Sequence, residues 1–243
     1  PSSARALLLA LALDGRGEAQ ARQQRYIAQQ LDAETAEQAS ALVPHVDALE
    51  PEQRLPALFG AFPALRQLPR EDRLRLMACL NGLLQREGQV SLHRYVLRKL
   101  AQVHLRDELQ PAAREQRVSL DAVRADAQVL FSVLARHGHA SEIDARRAYE
   151  AGMHALYPRV RPEFSTAAQW GPALDRALSR LDQLSPVGKE QLLEALLKTV
   201  THDQRLTLGE SELLRAVCAT LHCPLPALLA PSTQPSVEPA PVI

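Results

Sequence analysis

Apolar positions along the chain recur every three or four residues, and no stretch alternates with period two for long, so the pattern predicts helices throughout. The opening run Ala6 to Leu13 is apolar on every side, which marks a buried helix rather than a surface one. Ser2 or Ser3 offers its cap, and Gly15 and Gly17 mark the turn that follows. A polar helix is expected over about Glu18 to Leu31, and Asp32 caps a third that ends near Pro44. In Arg54 to Leu68, Pro56 and Pro63 each remove a backbone donor, which predicts a short helix that is kinked or broken. Helices follow over about Pro69 to Gln85, with Leu76, Met77, Leu80, Leu83 and Leu84 on one face, and over Ser91 to about Leu109. Beyond Pro111, helices are expected at Ser119 to His137, from a Ser141/Asp144 cap to Tyr157, at Gly171 to Gln183, at Pro186 to Thr201, and at Thr207 to Leu221. Thr207 with Glu210 has the spacing of a capping box. The Pro-rich residues 230–243 are expected to form a disordered tail.

The pattern contains a weak duplication. Residues 68–105 align without gaps on 184–221, an offset of 116 residues. Leu76, Leu80, Leu92, Leu97 and Leu105 meet Leu192, Leu196, Leu208, Leu213 and Leu221. The turn Glu87-Gly88-Gln89-Val90-Ser91-Leu92 meets Asp203-Gln204-Arg205-Leu206-Thr207-Leu208. Each copy reads as a helix, a polar turn, a Ser/Thr cap and a second helix. One hairpin cannot cover both its faces, so the copies are expected to pack on each other or on shared helices. The whole reads as one all-α domain over residues 1–229, a bundle of about ten helices, with halves at about 1–110 and 111–229.

Composition agrees with that fold class and narrows the chemistry. Hydrophobic residues make up 46% of the 243, enough for a core, while aromatics are only 4% and Leu and Ala dominate. Lys+Arg and Asp+Glu balance at 28 each, which argues against a general nucleic-acid binder. The apolar run at residues 6–13 is too short to span a bilayer, and no other stretch of the sequence offers a membrane span. Cys79, Cys218 and Cys223 are too few and scattered for a disulfide framework and suit a reducing compartment. The start at Pro1 rather than Met suggests a piece of a longer chain.

Each candidate for chemistry falls short on ligand count. A helical zinc hydrolase site needs His-Glu-x-x-His, whose residues four apart share a face, and none of the eight histidines lies in that pattern. The one His-rich neighbourhood is His137-Gly138-His139 with Glu142, Asp144 and His154, and it reads as a solvated helix end complementing the dipole. Calcium needs about six oxygen ligands. The first turn offers only Glu87, with Arg94 in the closing position, and the second offers Asp203 and Glu210 around Arg205. Cys218 reads as buried and Cys223, beside His222, as a helix-end thiol. Arg159-Val160-Arg161-Pro162 reads as a solvated basic loop. Cys223 to Leu229 reads either as a strap packed on the core or as a docking segment for a partner. Accordingly no catalytic, cofactor-binding or metal-ligating residue is assigned.

Four segments in order carry a resemblance: Ala4 to Leu11; Leu55 to Leu68; Gly88 to Leu97; and Leu206 to Ala216 with Cys223-Pro224-Leu225-Pro226. Together, over roughly residues 4 to 229, they resemble the C-terminal region of large bacterial membrane proteins related to the HtpX and CAAX-prenyl-protease zinc metallopeptidases. The two hairpins also resemble TerB-like helical domains. The first resemblance implies transmembrane helices and a His-Glu-x-x-His zinc site upstream of residue 1, in a parent zinc metalloendopeptidase. Zinc is expected there and no cofactor in this segment. The expected place is the cytoplasmic face of the bacterial inner membrane, as a soluble domain. The expected role is a non-catalytic accessory or regulatory domain that contacts the upstream protease region and a protein substrate or partner. The alternative is a free-standing TerB-like binding module in a stress response. TerB-like relatives tend to carry an acidic residue early in the helix after the first turn, where this chain has His93-Arg94, which weakens a metal role for that hairpin.

Overall fold

The computed structural model describes residues 2–13, 17–85, 91–106, 118–161 and 163–229. It contains eleven α-helices and no β-strand among these residues, an all-α multi-helix bundle. The first half comprises α1 (Ser2–Ala12), α2 (Gly17–Gln30), α3 (Ala33–Asp47), α4 (Pro51–Arg66), α5 (Arg70–Gln85) and α6 (Leu92–Arg106). The second comprises α7 (Arg124–Gly138), α8 (Glu142–Leu156), α9 (Trp170–Leu181), α10 (Pro186–Val200) and α11 (Leu208–Thr220). Short 3-10 turns stand at Asp121–Val123 and Ala227–Leu229. The Pro-rich stretch 230–243, the turn residues 86–90 and the span 107–117 lie outside the described residues.

Each half is built around one enclosed helix. Leu8 to Leu13 are consecutive buried residues, so α1 presents apolar surface all round and is wrapped by α3, α4, α5 and α6. In the second half α7 plays that part. Its Leu130 to Ala135 are buried in an unbroken run, with α8, α9, α10 and α11 packed on it. The halves meet chiefly where α6 lies on α11. A parallel bridge, Val118 to Leu184, ties the start of the second half to the residues just after α9.

Local chemistry sets most boundaries. The Asp32 carboxylate accepts from the Thr35 backbone N–H at 2.6 Å, Ser141 caps α8 and Ser185 caps α10, each satisfying orphan donors of a first turn. Thr207 and Glu210 form the reciprocal capping box of α11. Two proline expectations are corrected. Pro56 and Pro63 lie inside α4, which runs unbroken from Pro51 to Arg66, and α3 continues past Pro44 to Asp47. Each proline forfeits a backbone hydrogen bond, but Leu55, Leu58, Ala61, Phe62 and Leu65 still form one buried face of α4. At roughly 1.5–3 kcal/mol per buried large apolar side chain, that face outweighs the missing bonds.

The duplicated segments keep their boundaries in step. Arg70 and Leu92 begin α5 and α6, and 116 residues later Pro186 and Leu208 begin α10 and α11. Leu76, Leu80, Leu97 and Leu105 are fully buried, as are Leu192, Leu196, Leu213 and Leu221. Their surroundings differ. α5 packs on α6, whereas α10 lies mainly on α8 and α7, and α11 lies on α6 and α7.

Candidate functional site

The chain's buried polar chemistry collects along a seam where α6 meets α9 and α11. α6 carries a long apolar stripe, and Lys99 falls within it, three residues after Val96 and four after Tyr95. A cation placed there must find an anion, because burying it unpaired costs several kcal/mol. Asp175 on α9 supplies it. Its carboxylate accepts from Lys99 Nζ at 2.8 Å, Arg98 Nη2 at 2.6 Å and Tyr95 Oη at 3.0 Å. Burial alone would push the Asp175 carboxyl up, but Lys99 and Arg98 outweigh it and hold the group below the ordinary carboxylate range. Tyr95 moves the other way: burial, then the neighbouring Asp175 charge, pushes its phenol well up, so it stays a donor. The Arg98 guanidinium also lies 5.1 Å from the centre of the Tyr95 ring. Trp170 closes this end, its ring centre 5.0 Å from Tyr95 and 4.8 Å from His137.

One turn back on α6, His93 Nδ1 faces both carboxylate oxygens of Glu212 at 3.0 and 3.1 Å. Glu212 is buried on α11 two residues after Glu210, which is also buried. Glu210 occupies the stripe formed with Leu213, Leu214 and Val217. Its Oε2 accepts from the Thr207 backbone N–H at 2.9 Å and the Thr207 hydroxyl at 2.8 Å. Its Oε1 points the other way, buried and without a hydrogen-bond partner, 4.0 Å from His139 Nδ1. Burial pushes the Glu210 carboxyl up, against the Thr207 hydrogen bonds. Gly138 makes the approach possible, since a Cβ there would collide with the Glu210 carboxylate.

His139 is therefore not the solvated helix end that spacing suggests. It caps the C-terminus of α7 with a side chain only 3% exposed. His137 remains exposed at the surface with its ring against Trp170, and partial desolvation, then Arg136, lowers its pKa. The remaining members of that His-rich neighbourhood stay apart: Glu142, Asp144 and His154 are exposed. Asp203, which sequence spacing placed in a poor calcium loop, instead reaches His139 Nε2 at 3.7 Å. Asp203 faces one ring nitrogen and Glu210 the other, so the three do not converge on a point. No group of three or more His, Cys, Asp or Glu able to hold a metal ion occurs among the described residues.

The other candidates fall in separate places. Cys79 and Cys218 are buried and their thiols are pushed up to about 12, chiefly by burial, while Cys223 is half-buried with its thiol also raised. Such thiols are poor nucleophiles. Arg159 and Arg161 are exposed. After Cys223 the chain returns to the core: Leu229 is buried and its carbonyl accepts from Arg215 at 2.6 Å. Lys189 spans Asp182 at 2.6 Å and the Leu221 carbonyl at 2.9 Å, pinning the end of α11. A polar hollow of about 350 Å³ lies between α7, α8 and the following loop, lined by Arg136, Glu142, Glu163, Phe164, Ser165 and Thr166. No helix is long and apolar enough to cross a membrane among the described residues.

Sequence reasoning missed Asp175, Lys99 and Glu212. The available signal was a charge standing in an apolar helical stripe, at Lys99 and Glu210; the partners, 76 and 119 residues away for Lys99 and His93, carry no local mark. Compared with known proteins, the chain matches no family model, no curated protein and no solved structure.

Proposed function

We propose that this chain is a non-catalytic accessory or regulatory module that binds a protein partner or substrate on behalf of a larger membrane-bound zinc protease. The ordered segments that resemble the C-terminal region of such proteases supply the parent. The observation that carries the accessory role is the use of the buried charges. Asp175 holds Tyr95, Arg98 and Lys99, Glu212 holds His93, and Glu210 caps α11. These groups are spent on fixing helices against one another, as befits a rigid body that presents a surface. Ile143 and Val187, 64% and 63% exposed, stand in the first turns of α8 and α10, two helices packed on each other, and offer apolar contact to a partner.

The test uses the full-length protein. The double variant I143E/V187E should leave thermal stability within about 0.5 kcal/mol, since both side chains are exposed. It should change the rate or choice of cleavage of an unfolded protein substrate, because holding a client near the active site raises its effective concentration. If deletion of residues 1–243 leaves cleavage of every substrate tried unaltered, the accessory reading is wrong.

A further inference from the structure

The end of α11 places two of the three cysteines in one backbone motif. Leu221 caps the helix, and His222 after it adopts a φ of 56°, the left-handed turn that stops an α-helix. The His222 N–H donates to the Ala219 carbonyl at 3.3 Å, and the Cys223 N–H donates to the Cys218 carbonyl at 2.9 Å. Together these bonds make a Schellman motif, whose outer two residues commonly bring their side chains into contact. Here that outer pair is Cys218 and Cys223. The 2.9 Å bond sets a ceiling on their separation: with standard backbone dimensions their Cα atoms lie no more than about 6.8 Å apart, within the span of a disulfide. The thiols also sense each other, since after burial the neighbouring Cys223 is the next cause that raises the Cys218 thiol.

The motif is held from outside. Lys189 donates to the Leu221 carbonyl at 2.9 Å and to Asp182 at 2.6 Å, and His222 Nδ1 lies 3.4 Å from the same Asp182 oxygen. Beyond the motif the chain returns to the core, where Arg215 fastens the Leu229 carbonyl. Cys223 is thus the near end of a strap over residues 223–229, and Leu229 is its far end. Cys218 is buried at 1% exposure while Cys223 is half-buried, so one thiol is sealed in the core and the other stands at its rim.

We propose that Cys218 and Cys223 are a reversible modification site: a low-molecular-weight disulfide, glutathione disulfide, closes them into an intramolecular disulfide that staples the 223–229 strap to α11. The Cys223 thiolate, the more accessible of the two, attacks one sulfur of the glutathione disulfide, whose S–S bond breaks and releases one glutathione. Cys218 gives up its proton and attacks the Cys223 sulfur of the mixed disulfide, releasing the second. Two protein thiols are oxidised by two electrons, one glutathione disulfide is reduced to two thiols, and the two cysteine protons pass to them. Burial keeps both thiols protonated, so closure is slow near neutral pH and the pair stays reduced unless the oxidant persists. Geometry supplies what acidity does not. The helix end holds the second thiol beside the first, which favours ring closure over a standing mixed disulfide.

The experiment equilibrates the full chain at about pH 8 with oxidised and reduced glutathione in varied ratio, then traps free thiols in denaturant with an alkylating agent. Mass spectrometry reads the tryptic peptide that begins at Ala216 and carries both cysteines. That peptide should lose two hydrogens and take up no alkylating agent, while Cys79 is alkylated in full. The equilibrium constant for closure in the native chain should exceed that of the same chain unfolded in urea by roughly tenfold or more. In the oxidised chain the Leu225, Ala227 and Leu229 amides should exchange roughly tenfold more slowly than in the reduced chain, relative to amides of α1. A peptide that stops at the mixed disulfide, a native constant no larger than the unfolded one, or a strap whose amides exchange no more slowly after oxidation overturns the proposal.

Discussion

Asp175 shows most clearly how one side chain can hold two halves of this molecule together. It answers a surplus of cations on α6, with Lys99 and Arg98 at 10% and 15% side-chain exposure. Asp175→Asn keeps the shape and removes the charge, leaving two largely buried cations without an anion. The loss should be about 2–3 kcal/mol in urea or thermal unfolding near neutral pH. The pH dependence has a definite sign. Because its folded pKa lies below the ordinary value, Asp175 contributes stability that is present above the unfolded pKa, near 3.9, and lost as pH falls through the folded value. The wild-type and Asp175→Asn curves should therefore draw together under acid conditions; a gap that stays constant down to about pH 2 would contradict this role. None of this was legible in the sequence, because Lys99 and Asp175 are 76 residues apart and neither lies in a motif. Asp32, Ser141 and the Thr207/Glu210 pair were legible, because a cap and its target are neighbours along the chain. His139 was misread for a related reason. Its own neighbours in sequence describe a helix end, and what buries it arrives from residues 203 and 210.

At the scale of elements, hydrophobic period located the helices, and the departures fall where packing overrides propensity. α4 is the test case. Pro63 is exposed, sits in the helix interior and removes a donor to the turn before it. If α4 is continuous, Pro63→Ala should restore that bond and raise stability by about 1 kcal/mol or more. A neutral or destabilising result would mean that the chain is broken there, as the proline spacing by itself suggests. Thr207→Ala should act in the opposite direction. It removes the hydroxyl that accepts from the Glu210 N–H at 3.2 Å, at a cost of about 1 kcal/mol. The repeat illustrates the limit of sequence patterns at this scale. Leucine spacing placed four helix starts in register, but which helix packs on which is set by contacts beyond each pair: α10 lies on α8 and α7, while α5 lies on α6.

At the scale of the whole molecule, two enclosed helices, α1 and α7, each gather a layer of partners, and α6 and α11 join the layers through a seam of apolar side chains with embedded ion pairs. The all-α character followed from composition and period, since Leu- and Ala-rich segments with few β-branched residues have little else to form. The function we propose is of a different kind: a body whose buried charges serve its own rigidity, proposed to act beside an active site carried elsewhere in a longer protein. The most direct measurement is zinc content by mass spectrometry of the full-length protein, with and without residues 1–243. The account predicts one zinc per molecule in both forms and none retained by the purified 243-residue chain, since a catalytic zinc site takes about three protein ligands around an open position. One tightly held zinc on the 243-residue chain, or a full-length protein that binds none, would contradict it.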